Sequence, residues 1–328
     1  MKDRLKINAN NFYRFSPYII LLLLIIPMSI LNEQFLTLPT FINMMRQVST
    51  VGIVALGAMV VIITGGIDFS AGFGIAMIGM AAGTIFYLTD ATQSVWVLIA
   101  VCVFGGALLG LVNGLIVTKL KIVPFIATLG TMSIAQGASV LIGGGSMTSL
   151  ARRGDNFLWL GQGMLFNLIP VPFVVFVIVS CTIYVLLNKT KFGVYTYSMG
   201  SNEEAIKYEG INIARYKTMV YVVAGTCTGI AALITSMRIA MVSPNMAGVT
   251  ILLDAIAATV LGGTSILGGR GRVSGTIAGA FIIVVISMAL TYFAIASDMQ
   301  ELFKGVVIFI AVGIDGYINK YAAKATRY

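Results

Sequence analysis

The chain of 328 residues contains no histidine, which excludes imidazole metal ligation and histidine-based proton transfer. Charge is scarce too: 10% of residues are charged against 58% apolar, where soluble domains carry about 25% charge. With a mean hydropathy of +0.97, this is the composition of an integral membrane protein. Only three cysteines occur, Cys102, Cys181 and Cys227, each inside an apolar run and without ligand or disulfide spacing; they read as packing residues. The pattern G-x-x-x-x-G-K-[ST] is missing, so the chain lacks that phosphate-cradling loop and any ATP energy must come from another subunit. No pair of carboxylates beside a nucleophile and no metal cluster can be assembled. What remains for enzymology is a membrane enzyme built on lone Asp residues, which is set against a non-catalytic carrier.

What is present is a series of apolar runs separated by short basic loops. The net charge of +9 follows the positive-inside distribution of membrane proteins, so a lipid bilayer explains it better than nucleic acid does. Ten intervals are long enough to draw as spans: 16–31, 44–64, 72–88, 95–117, 123–142, 170–187, 218–240, 250–267, 273–293 and 300–317. The fold expected is therefore an all-α polytopic bundle of about ten transmembrane helices, a single domain covering residues 1–328. With the N-terminus inside, the cytosolic side receives Lys119, Lys121, Arg270, Arg272, Lys320, Lys324 and Arg327. Glu33, Asp90 and Asp298 fall outside, and Arg152 and Arg153, partly offset by Asp155, are the exception. The eighth interval is short before Gly262 and Gly263. Were it to turn back, Arg270, Arg272 and the basic tail would face outward, so ten full crossings are kept, with both termini cytoplasmic. The first run follows Lys2, Arg4 and Lys6 but offers no small-x-small cleavage site, and is expected to stay as an uncleaved span.

Glycine is abundant, with 36 residues. Gly79/Gly83, Gly106/Gly110/Gly114, Gly225/Gly229 and Gly275/Gly279 have the spacing at which helix backbones approach closely in lipid, favouring intramolecular packing over a dimer seam. Two other Gly-rich stretches, Gly65 to Gly72 and Leu261 to Ser265, look like helix breaks, tolerated at membrane depth only against protein or water. Both are candidates for lining a pathway, and so Ser70, Thr264 and Ser265 are candidate solute contacts. Asp254 lies in an apolar run, where a charge costs about 2.5–3.5 kcal/mol at helix centre. It is read either as a pathway or switch residue or as a cap at the start of the eighth helix. Asp68 has the same two readings, with capping of the third helix beside Ser70 preferred. Asn113, Thr128, Gln136 and Asn245 suit hydroxyl-rich solutes or, more commonly, interhelical hydrogen bonds.

The one long polar break is Asn188 to Lys217. Ser201-Asn202-Glu203-Glu204 has the S-x-x-E spacing of a reciprocal helix cap, and Gly210 supplies the stop. The spacing predicts a helix over 202–209, too short to persist alone in water. Ala205, Ile206, Tyr208 and Ile211 give it an apolar side within a ring of Lys189, Lys191, Lys207, Arg215 and Lys217. Such a helix is either a docking knob for a soluble partner or part of a solvated connecting loop.

Taken jointly, Gly65-Gly66-Ile67-Asp68 with Ser70, Asn113-Gly114, Pro124 to Gly130, Gly200 with Asn202 through Gly210-Ile211-Asn212, Leu253 to Ala258, Leu261 to Ser265, and Gly268-Gly269 with Gly271 resemble the membrane subunit of bacterial ABC importers of the ribose type. The resemblance spans about residues 40–318. Branched-chain amino acid permeases share a looser version and are the alternative. The resemblance implies an inner-membrane permease for a pentose or hexose, without bound cofactor, that pairs with a second copy or a sister permease. It further implies an extracytoplasmic sugar-binding protein and an ATPase with two nucleotide-binding domains that hydrolyses the ATP. On that view Ser201, Asn202, Glu203, Glu204, Ala205 and Gly210 form the coupling helix. The sequence departs from the family at Leu252, where Glu is usual, at Phe69 and Ala71, and in the acidity of Glu203-Glu204. An ion-coupled carrier protonating Asp68 or Asp254 is the competing class.

Overall fold

In the computed structural model the described residues are 2–88, 95–150, 155–296 and 299–306, together with 309 and 313. They build a helical bundle. In chain order the helices are α1 (Lys2–Leu31), α2 (Leu38–Ile63), α3 (Ala71–Leu88), α4 (Val95–Lys119), α5 (Pro124–Ile142) and α6 (Asp155–Gln162). There follow α7 (Val171–Lys189), α8 (Lys191–Ser201), α9 (Glu203–Tyr208), α10 (Ile213–Ile239), α11 (Gly248–Leu261) and α12 (Val273–Tyr292). Of these α2, α4, α5, α7, α10 and α12 are long and apolar enough to cross a membrane, and Ser16–Leu31, Ala71–Ile85 and Gly248–Leu261 are shorter apolar helical stretches. These nine overlap the first nine intervals drawn from the sequence. The tenth, 300–317, begins in a helical stretch at 299–306 and otherwise falls mostly outside the described residues. So do Asp90, Arg152, Arg153, Asp298, Lys320, Lys324 and Arg327, and the side chains of Lys2, Arg4, Lys6 and Asp155.

The core is α2. Proline opens its first turn, where a missing N–H costs nothing, and every residue from Val48 to Thr64 is buried. A helix apolar on all sides belongs inside a bundle, and α7, α10, α11 and α12 surround this one.

Glycine sets how closely the others pack. A Cβ on Gly106 would lie 2.3 Å from the Gly225 carbonyl oxygen, and one on Gly110 would lie 2.1 Å from that of Tyr221. From the facing helix, Gly225 and Gly229 stand as close to the backbone of α4. The two runs noted in the sequence are thus the two sides of one seam between α4 and α10. Gly275 and Gly279 meet Gly262 and Ala258, joining α12 to α11, while Gly79 and Gly83 receive Met246 and Val242. All four patterned sets pack within the chain.

The stretch between α5 and α7, left without a span by the sequence, contains α6 and three of the four strands of two short antiparallel pairings. β1 (Thr148–Ser149) pairs with β4 (Met241–Val242), and β2 (Met164–Leu165) with β3 (Ile169–Pro170). Two-residue strands lie below the length at which alternation of apolar and polar residues can be recognised.

Because the α4–α10 seam has no room for a methyl group, Gly110→Ala should lower the stability of the detergent-solubilised protein by about 1–3 kcal/mol. Gly137→Ala, whose added Cβ would have nothing within 4 Å, should show no loss. Thermal denaturation of the two variants side by side checks this.

Candidate coupling site

The polar break holds two helices rather than one. α7 runs on to Lys189, α8 begins at Lys191 after Thr190, and α9 is followed by Gly210 in the left-handed region with φ of 73°. The expected reciprocal cap does not form. Ser201 is the last residue of α8 and its hydroxyl donates back to the Tyr197 carbonyl at 3.0 Å, so it lacks the extended backbone an N-cap requires. Asn202, at φ of −160°, takes that place, and its Oδ1 accepts the Ala205 N–H at 3.0 Å. Glu204 is exposed, and the helix runs Glu203–Tyr208 instead of 202–209. Asn212 repeats the device at the start of α10, accepting the Arg215 N–H at 3.0 Å.

Two contacts hold this short helix down. Ile206 is buried, a burial of about 2 kcal/mol, and Glu203 pairs with Lys217 on α10 at 2.9 Å. The pair is half in solvent and supplies orientation more than stability. Tyr208, by contrast, is 91% exposed, so α9 presents an uncovered aromatic ring amid basic residues.

The seat of α8 is made of backbone. Gly269 donates its N–H to the Ile63 carbonyl at 2.8 Å, which satisfies one of the open carbonyls at the C-terminal end of α2. Gly200 abuts the same bond: a Cβ there would lie 1.8 Å from the Ile63 oxygen and 2.5 Å from the Gly269 nitrogen. Tyr197, one turn earlier, donates its hydroxyl to the Gly271 carbonyl at 2.9 Å. Burial raises the Tyr197 phenol above its ordinary pKa against the pull of Arg272, so it remains a protonated donor at neutral pH. The end of α8, the end of α2 and the 262–272 loop are therefore one junction.

The remaining candidates divide into two places. Asp68 Oδ1 accepts the Ser70 N–H at 2.8 Å and the Ser70 hydroxyl at 2.6 Å, and Asn113 on α4 donates to that hydroxyl at 2.8 Å. Thr128 on α5 donates to the Ile67 carbonyl at 3.1 Å. The break before α3 is thus pinned to α4 and α5 by residue types that sequence flagged, and Asp68 closes a turn on Ser70, the residue before α3, instead of accepting an N–H from within the helix.

Asp254 is elsewhere, six residues into α11, which removes the reading of it as a cap for that helix. Its carboxylate pairs at 2.9 Å with Lys304, on the helical stretch at 299–306. Thr264 and Ser265 are buried in the tight 262–272 loop, the Ser265 N–H donating to the Arg270 carbonyl at 3.0 Å, and among the described residues both hydroxyls lack a hydrogen-bond partner. Gln136 and Asn245 are exposed. Among the described residues no group of three or more His, Cys, Asp or Glu could hold a metal.

Sequence reasoning passed over Tyr197, Lys304, Arg46 and Arg238. The last three are ionisable groups inside drawn spans, the same signal that singled out Asp254. Since the Asp254–Lys304 pair is largely buried, Lys304→Met should cost about 3–5 kcal/mol by stranding the carboxylate, and adding Asp254→Asn should restore most of it. Denaturation midpoints of the single and double variants measure that coupling.

A family model described as the branched-chain amino acid transport system / permease component matches residues 40–312. Ribose import permease protein RbsC of Bacillus subtilis is 40% identical over 303 residues, covering 92% of each chain. RbsC of Haemophilus influenzae is 37% identical over 304 residues, covering 92% of this chain and 93% of its own. Galactose/methyl galactoside import permease protein MglC of Escherichia coli is 34% identical over 325 residues, covering 94% of each. No solved structure matches the chain. Matched over most of its length, the chain belongs to the branched-chain amino acid transport system / permease component family, and is a non-catalytic transmembrane permease subunit of an ABC importer.

Proposed function

We propose that the chain forms the translocation pathway of an importer for a pentose or hexose and is driven by a separate ATPase through α8 and α9. The observation that carries this is the junction at Gly200, where the segment holding an exposed, capped helix abuts the end of the buried core helix without an intervening side chain. A displacement of α9 then acts directly on α2 and on the loop between α11 and α12. The sugar class rests on the relatives, whose names specify ribose and galactose, in preference to the amino acids in the description of the family model.

In this reading the chain crosses the membrane ten times with both termini cytoplasmic. It works beside a second copy or a sister permease, receives sugar from an extracytoplasmic binding protein, and leaves ATP and Mg to an ATPase with two nucleotide-binding domains. Asn202, Glu203, Glu204 and Ala205 carry the contact with that ATPase, Asn202 and Gly210 setting the ends of α9 and Ser201 closing α8. An ion-coupled carrier is disfavoured because Asp254 is already paired with Lys304 and Asp68 is held by Ser70.

Two outcomes follow. Gly200→Val should insert normally, yet lower ATP-driven sugar uptake at least tenfold in proteoliposomes holding the ATPase and binding protein, while ATP hydrolysis loses its dependence on loaded binding protein. Uptake equal to wild type would overturn the coupling role. In intact cells a bilayer-impermeant maleimide should leave Ser201→Cys unlabelled and label it after permeabilisation; labelling before permeabilisation would invert the topology.

A further inference from the structure

At the end of the bundle away from Gly200 lies a cavity of about 540 Å³, within the range of small-molecule sites. Its wall includes Asn43, Arg46, Gln47 and Thr50 of α2, Thr235 and Arg238 of α10, and Asp254 of α11. With a rise of about 1.5 Å per residue, Asn43 and Val51 stand about 30 and 18 Å along α2 from Ile63. The cavity is therefore separate from the coupling junction, and of the polar candidates drawn from sequence only Asp254 reaches it.

Three features mark it as built for an occupant. Thr50 and Thr235 are 3% and 5% exposed, and both hydroxyls, with the Arg46 Nε, are buried without a hydrogen-bond partner. Orphaned polar atoms are rare in native interiors, and of the seven among the described residues these three lie in residues that line one cavity, the other four belonging to Asn113, Tyr221, Thr264 and Ser265. The guanidinium of Arg238 feels that of Arg46 as a like charge, while the wall's one carboxylate, Asp254, is already taken by Lys304 at 2.9 Å. Among the described residues Arg46 reaches only a backbone carbonyl, that of Gln162 at 3.4 Å, and the Gln162 side chain donates to the Arg238 carbonyl at 3.1 Å. Donors thus outnumber acceptors, since each guanidinium offers five N–H groups and accepts nothing, the amides of Asn43 and Gln47 donate and accept alike, and the Thr250 hydroxyl is already taken by Glu301 at 2.8 Å. The complementary ligand is a small, oxygen-rich solute that accepts hydrogen bonds over most of its surface.

We infer that this cavity is a solute-binding chamber of the import pathway, in which Arg46 and Arg238 grip the oxygens of a polyhydroxylated solute beside the amides of Asn43 and Gln47. The inference rests on the importer reading and adds to it the residues that touch cargo. Neutral sugars and their aldonates share the required chemistry, the latter presenting a carboxylate to a guanidinium.

The test uses the full chain with its ATPase and binding protein in proteoliposomes, supplied in parallel with D-ribose, D-galactose, D-ribonate and D-galactonate. The readout is solute accumulated per ATP hydrolysed. Loss of a charged hydrogen bond corresponds to about tenfold, so Arg46→Gln and Arg238→Gln should each lower that ratio by about tenfold, and Arg238→Lys should recover part of it. A loss seen with the sugars assigns the guanidiniums to hydroxyls; a loss confined to the aldonates assigns them to a carboxylate. An unchanged ratio overturns the inference, including the case where uptake and ATP hydrolysis fall together because the binding protein no longer docks. A second measurement needs no transport. In the purified complex with Cys181→Ser, Asn43→Cys, at the exposed rim of the cavity, should react with a maleimide, and one of the four solutes should slow that reaction. Protection by none of them overturns the chamber, whereas protection without import counts against the importer reading and leaves the chamber standing.

Discussion

The arrangement depends on a single backbone hydrogen bond, from the Gly269 N–H to the Ile63 carbonyl, and on the absence of a side chain at Gly200 beside it. The C-terminal carbonyls of a buried helix must find donors. Here the donor comes from a loop 206 residues further along, and a third segment closes over the pair. Three stretches distant in sequence thereby share one point at which backbone presses on backbone. Side chains at such a point would act as flexible spacers and absorb displacement; their absence makes the contact stiff.

Much of this architecture was legible from residue pattern. The glycine spacings named the helix faces that touch, because in lipid close backbone approach is the main source of helix affinity, but not which face met which. Gly106 and Gly110 needed the fold to find Gly225 and Gly229. The position of Asp68 beside Ser70 was readable because an Asp side chain that turns back on the backbone two residues on is a local device. The Ser201 cap misled for an equally physical reason: Ser201 and Asn202 both favour that role, and only the presence of α8 up to Ser201 decides between them. α8 did carry a signal of its own, since Phe192, Thr196 and Met199 fall at helical spacing and are all buried, although the polar character of the surrounding stretch obscured it.

The least legible features were those made by pairs far apart in the chain. Asp254 stood out as a charge in an apolar run, yet its partner Lys304 is 50 residues on, beyond any local rule. A carboxylate and an ammonium buried together tolerate each other only in good geometry, so the pair locks α11 to the stretch at 299–306. The polar groups around Asp68 act differently. They tie the unwound break before α3 to α4 and α5 through hydrogen bonds without a formal countercharge, and so hold non-helical backbone inside the bundle.

The seam between α4 and α10 has a mechanical corollary. α4 makes no direct bond to the junction at Ile63, whereas α10 begins five residues after α9 and carries Lys217, the partner of Glu203. Interlocked glycines leave the two helices no freedom to slide, so they travel as a single beam. A push delivered to α9 would tilt that beam as one body, and α4 would follow as a passenger, shifting the Asn113 anchor at Ser70.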